Sequence, residues 1–259
     1  MAIANFRMSA AVLVLGALGM SVMAPTQVRA EAPAVDPAAT RILKRSTDYL
    51  AGLHRFSADT QNTLEAVLQS GQKIQFDAAA SFIVQRPDKL RAERKGDLLD
   101  QVFYYDGKTL TLYNPSQDVY ATVAAPDTLE KMMDFARSSL DIFAPAGDLL
   151  YRDAYERLMQ DVTGGLVVGK STIGGVVCEQ LAFSGPEVDW QIWIEDGDKP
   201  LPRKYVITTK SVAGWPQYSV VMDNWNVAPT LAQGQFSFVP PADAKKVDFL
   251  PLAANRATR

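Results

Sequence analysis

The sequence predicts an α+β protein, a strongly curved antiparallel sheet with helices packed on one side of it. Three observations lead there. Long stretches alternate apolar and polar residues with a period of two, the pattern of strands with one buried face. Short turns such as Ser70-Gly71, Asp106-Gly107 and Asn114-Pro115 join them, so successive strands run antiparallel and need no crossover helices. Helical periods occur before the first strand and again midway, giving the order helix, strands, helices, strands.

Residues 1–30 precede these elements. MAIANFR carries one Arg, MSAAVLVLGALGMSVMA is apolar and uncharged, and Val28-Arg29-Ala30 places small or compact residues where signal peptidase reads the chain. This predicts a cleaved secretory signal and a periplasmic product, since the apolar run is short for a bilayer span. Residues 31–250 then form one domain, and residues 251–259 a flexible tail. Removing the signal takes away Arg7 and Arg29 and no acid, so the net charge moves from −3 to −5. An acidic surface argues against nucleic acid as partner. The single cysteine, Cys178, excludes an internal disulfide, so the domain depends on its hydrophobic core.

Asp36-Pro37 is a helix start, with Asp capping free amides and Pro at the first helical position. Ile42, Leu43, Ser46, Tyr49, Leu50 and Leu53 follow on one face. From Phe56 the alternation Phe56, Ala58, Thr60, Asn62, Leu64 and, past the turn, Ile74, Phe76, Ala78, Ala80, Phe82, Val84 predicts two long strands in a hairpin. Further strands are expected at 89–95, 101–105, 109–113 and 119–123. Leu129, Met132, Met133, Ala136 and Leu140 share a helical face, as do Leu150, Tyr151, Ala154, Tyr155, Leu158 and Met159. Strands resume at 166–170, 176–183, 188–195, 203–209 and 217–225, with a last one at 236–238.

Gly164-Gly165-Leu166-Val167-Val168-Gly169-Lys170-Ser171 fits the phosphate-loop pattern G-x-x-x-x-G-K-[ST] at every fixed position. The motif needs a strand before it and a helix after it, so that loop amides and the helix N-terminus meet the phosphates. Here a helix precedes it, the turn Thr172-Ile173-Gly174-Gly175 follows, and Val167-Val168 favours extended backbone. No nucleotide site is expected. Catalytic material is sparse: His54 is the only histidine and is expected at the end of the first helix. Glu195, Asp196 and Asp198 match no calcium-loop spacing and are expected in a solvated hairpin. The sequence therefore points to no catalytic residues, metal or cofactor.

Val84-Gln85-Arg86-Pro87-Asp88-Lys89-Leu90, the hairpin from Tyr105-Asp106-Gly107 to Asn114-Pro115, and Phe236-Ser237-Phe238-Val239-Pro240-Pro241 resemble the periplasmic lipoprotein carrier LolA, in the same order. The stretches from Gly174-Gly175-Val176 to Phe183, from Asp189-Trp190 to Glu195 and from Pro200-Leu201-Pro202 to Tyr205 are similar to predicted periplasmic proteins of the domain of unknown function 2092 family. The resemblance implies a half-open barrel round an apolar cavity, with helices as a lid on the concave side. It implies that Arg86, the Arg of the R-P motif, tethers the lid, and Leu90 stands where the carriers have an aromatic residue. On this reading Phe76, Phe82, Leu90, Trp190 and Ile192 line the cavity, and Met132 and Met133, flexible side chains suited to ligands of variable shape, belong to the lid. The expected function is non-enzymatic binding of an apolar small molecule, lipid or acylated protein. An envelope sensor or protein-interaction module on the same fold, with an envelope protein as partner, is the alternative, followed by a hydrolase with a carboxylate pair brought together by folding.

Overall fold

The structure is a computed structural model that describes residues 34–97 and 99–249. The signal segment 1–30 and the tail 251–259 lie outside the described residues. Asp36 caps helix α1 (Pro37–Gly52): its Oδ1 accepts from the Ala38 amide at 2.7 Å, and Pro37 occupies the first turn. Strands β1 (Arg55–Val67), β2 (Lys73–Gln85), β3 (Lys89–Gly96), β4 (Leu99–Tyr105), β5 (Thr109–Asn114) and β6 (Val119–Ala124) form one antiparallel meander. A second meander holds β7 (Gly164–Ile173), β8 (Val176–Ser184), β9 (Val188–Glu195), β10 (Pro202–Thr209) and β11 (Gln217–Asn226). Pairing of β1 with β11 fuses the two, and β12 (Lys245–Lys246) adds in parallel to β6, giving one twelve-stranded curved sheet.

Irregularities in pairing occur at Ser57/Asp59, Val167/Gly169 and Pro202/Lys204. An extra residue on one strand bends it and sharpens its twist, which curls a wide sheet toward a barrel without closing it. The edge at β7 is blunted, because residues 34–36 run beside its start: the Asp36 amide donates to Gly165 O at 2.8 Å and the Gly165 amide to Ala34 O at 2.9 Å.

The helices divide the concave face. α1 lays Ala39, Leu43 and Leu50 on the β7–β10 half, in a core with Leu181, Phe183, Trp190, Ile192, Ile194 and Tyr205. Helix α2 (Leu129–Leu140) lays Leu129, Met132 and Ala136 over the β2–β5 half, against Phe56, Val84, Leu90, Phe103 and Leu110. Thr128 Oγ1 caps α2 by accepting from the Lys131 amide at 3.3 Å, and Asp141, left-handed at φ 55°, ends it.

Two elements differ from expectation. The helical face read from Leu150 to Met159 is split into a 3-10 turn (Gly147–Leu150) and a short helix α3 (Ala154–Met159), because Tyr151 leaves helical geometry at ψ 149°. Residues 236–238 form no strand. Phe238 instead packs among Tyr104, Tyr113 and Tyr120, with ring centroids 5.0–5.4 Å apart. Its apolar alternation reflects that aromatic cluster and not ladder pairing. The phosphate-loop letters lie within strand β7, paired to β8, and Lys170 Nζ meets Asp196 Oδ2 at 2.6 Å.

Candidate functional site

Where α2 and the segment after it stand off from the sheet, a cavity of about 390 Å³ opens. Its floor is the inward row of β2, Phe76, Ala78, Ala80 and Phe82. Two alanines in the middle of a long strand explain the space, since neither fills the gap beneath the lid that a Leu or Phe would close. β1 contributes Thr60, Asn62 and Leu64, β3 contributes Leu90, Ala92 and Arg94, and β11 contributes Tyr218, Val220 and Met222. Met132, Met133 and Ala136 of α2 and Leu149 and Leu150 of the 3-10 turn form the roof.

The two ends differ. At the base, Phe56, Phe82 and Trp225 pack at centroid distances of 5.9–6.2 Å, and Trp225 Nε1 donates to Pro202 O at 2.9 Å. At the other end Leu64 and Phe143, both wall residues, are 46% and 68% exposed, which marks this end as the mouth.

Arg86 sits behind the base, 5% exposed, in the cis Arg86-Pro87 pair. Its Nη1 donates to Glu130 Oε1 at 3.0 Å, in the first turn of α2, and its Nη2 to Leu150 O at 2.7 Å, at the end of the 3-10 turn. One side chain thus joins both ends of the roof to the β2–β3 corner. Burial pulls its guanidinium below the ordinary value, against the opposing charge of Glu130. The Leu129 amide adds a bond to Pro87 O at 2.8 Å. The far part of the roof, residues 141–146, is bounded by two left-handed residues, Asp141 and Ala146.

Polar groups at the wall are mostly matched to one another. Tyr218 donates its hydroxyl to Asn62 Oδ1, and Asn62 Nδ2 donates to Thr60 Oγ1 at 2.9 Å and Ala78 O at 3.1 Å. Burial pushes the Tyr218 hydroxyl up to about 12, so it is neutral at working pH. Among the described residues no group of His, Cys, Asp and Glu is arranged to hold a metal ion, and no helix is long and apolar enough to cross a membrane.

Of the residues singled out from sequence, Phe76, Phe82, Leu90, Met132 and Met133 meet at this cavity, and Arg86 lies at the base of the roof. Trp190 and Ile192 do not line it. Both point to the concave face, but there α1 covers them: Trp190 stacks on Phe183 at 4.2 Å and meets Tyr205 edge-on at 5.7 Å. Alternation gives the face of a strand and not what lies over it. Sequence reading missed Asn62, Arg94, Phe103, Tyr218 and Trp225. The available signal was cross-strand register: once Leu64 pairs with Phe76 and Tyr218, Asn62, Arg94, Phe103 and Tyr218 fall in inward rows, whereas Trp225 turns inward only past the irregularity at Ser57/Asp59. His54 is exposed beyond α1, Cys178 is buried, and Glu195 is bound to Arg203 in the β9–β10 hairpin.

Residues 39–250 match the family model described as a predicted periplasmic protein (DUF2092). The chain is a DUF2092 protein. LprF from Mycobacterium bovis shares the fold with a TM-score of 0.50 at 16% identity, over 79% of this DUF2092 chain and 100% of LprF. An uncharacterized conserved protein from Thermus thermophilus aligns at 0.48 with 13% identity, over 82% and 99% of the two chains. The Mycobacterium tuberculosis lipoprotein LppX aligns at 0.44 with 14% identity, over 76% and 100%. No curated protein matches the chain. The DUF2092 chain thus has the LolA-like architecture, a half-open antiparallel barrel with helices on its concave side.

Proposed function

We propose that this DUF2092 protein is a non-enzymatic periplasmic binding protein, exported by a cleaved signal over residues 1–30, that encloses a lipid, an acylated protein's acyl chain or another long apolar molecule. The observation that carries this reading is the cavity itself: about 390 Å³, walled by Ala, Phe, Leu and Met side chains and open at one end. That volume is within the usual range for small-molecule sites, whereas protein interiors otherwise fill such spaces. Binding would be driven by desolvation, at about 0.8 kcal/mol per buried methylene, so a chain of several carbons gains several kcal/mol without a covalent step.

The roof supports a gate. With both its ends held at Arg86 and its far segment at the mouth, it can lift at the mouth while staying attached at the base. The two acids among the wall residues direct their carboxylates away: Asp77 accepts from Thr63 Oγ1 at 2.7 Å and Glu93 from Arg91 Nη2 at 2.9 Å. They form no inward acid pair of the kind glycoside hydrolysis uses. Native mass spectrometry of protein purified from the periplasm tests the reading. A bound mass consistent with a lipid or acyl chain, lost on delipidation, is expected; an unliganded mass together with failure of the delipidated protein to take up any long-chain compound contradicts it.

A further inference from the structure

We propose that the cavity prefers anionic amphiphiles, with Arg94 receiving a carboxylate or phosphate head while the tail lies over Ala80 toward Phe82. This rests on the carrier reading above and adds the chemical class of ligand. Four wall residues are charged: Asp77, Glu93, Arg94 and Arg137. Asp77 and Glu93 are engaged by Thr63 and Arg91, and Arg137 Nη2 donates to Asp148 Oδ1 at 2.9 Å. Arg94 differs. Among the described residues no carboxylate lies within ion-pair distance of it.

Its guanidinium lies 5.0 Å from the centre of the Phe103 ring, and Nε donates to Gln101 Oε1 at 2.7 Å. Nη1 reaches only the Phe143 carbonyl, at 3.4 Å, and Nη2 has no partner among the described residues. The fixed stem, the long-bonded Nη1 and the unmatched Nη2 present a preset fork, which suits the two oxygens of a carboxylate or phosphate. Across the floor, Arg94 pairs with Ala80 and Ala80 with Thr60, while the Thr60, Asn62 and Tyr218 groups are bonded among themselves. Nothing negative therefore faces Arg94 over the alanines, because the Tyr218 hydroxyl is neutral. Contact with the backbone of Phe143, whose side chain is exposed at the mouth, sets the charge on the mouth side of the Phe82 row, and the aromatic base lies at the other end. A head at Arg94 and a tail toward Phe82 follows from that polarity.

Competition of laurate and 1-dodecanol for the delipidated protein purified from the periplasm, at pH 8 and against a neutral fluorescent probe, separates head from tail. The wild type should bind laurate about ten-fold tighter than dodecanol, the scale of a charge-assisted hydrogen-bonded contact. R94Q should abolish the difference, and acetate should compete in neither protein. Equal affinity for the two chains in the wild type, a laurate preference that survives in R94Q, or acetate competing as well as laurate overturns the proposal. The wild-type comparison decides it even if R94Q does not fold. Failure of both chains and of every longer chain to bind rejects the carrier reading itself, whereas equal binding rejects only the role of Arg94.

Discussion

Arg86 holds two separate parts of the roof from one buried position, which makes its removal costly in two ways. Arg86→Met leaves Glu130, itself only 22% exposed at its side chain, with only the more distant Arg152 at 4.0 Å, and frees the Leu150 carbonyl. Breaking a buried pair from one side costs about 3 kcal/mol. Urea unfolding should show that loss, and amide exchange in α2 should accelerate more than in α1; an unchanged α2 would show that Arg86 does not hold the roof. Tyr218 gives a pH signature. Its folded value is raised to about 12, above the ordinary tyrosine value, so the stability it contributes is present below about pH 10 and fades as pH rises through 12. Tyr218→Phe should flatten the fall in stability between pH 9.5 and about 11.5 measured by denaturant titration, where other buried tyrosines keep part of the slope. Arg86 was legible because its R-P context carries a family resemblance. Arg94 was not, since an arginine in an alternating strand has the look of any solvated strand residue until register shows which face it is on.

One half of the concave face is packed beneath α1 and the other lines the cavity, and substitutions on them should separate stability from probe binding. Trp190→Ala removes a ring from the core beneath α1 and should cost about 3–5 kcal/mol in thermal or urea unfolding. In protein that remains folded it should leave affinity for an apolar probe within about two-fold, because Trp190 is no part of the cavity wall. Phe82→Glu does the reverse: it places a carboxylate in the aromatic base and should weaken probe binding ten-fold or more, from a cost of about 2 kcal/mol for a poorly solvated polar group. Loss of probe affinity in a folded Trp190→Ala variant would place that ring at the ligand after all. Most strands were readable to within a residue or two, because period-two alternation and turn residues act locally. The division of labour between α1 and α2 was not, since both helices present an ordinary apolar face and only the folded chain shows which one stands off from the sheet. The run Ala78-Ala79-Ala80 was the available clue: small residues at successive inward positions of a long strand make a void where Trp and Ile make a core.

For the molecule as a whole, the proposed life history begins with export. N-terminal sequencing of protein recovered from the periplasm should read from Glu31; a chain that still begins at Met1 would exclude cleavage at Ala30. The antiparallel meander, the helix order and the curved sheet were written in the sequence as patterns repeated over the chain. The fusion of the two meanders through β1 and β11 was not, for the strands that pair there are separated by most of the domain. That long-range pairing joins Thr60 and Asn62 to Tyr218 and Met222 in one wall and so creates the site. The central claim is that this wall and its roof enclose apolar ligand, and calorimetric titration of the delipidated wild type with a long-chain probe at several temperatures tests it most directly. Stoichiometric binding with a negative heat-capacity change is the predicted result, as expected when apolar surface leaves water; absence of saturable binding by any long-chain compound would contradict it.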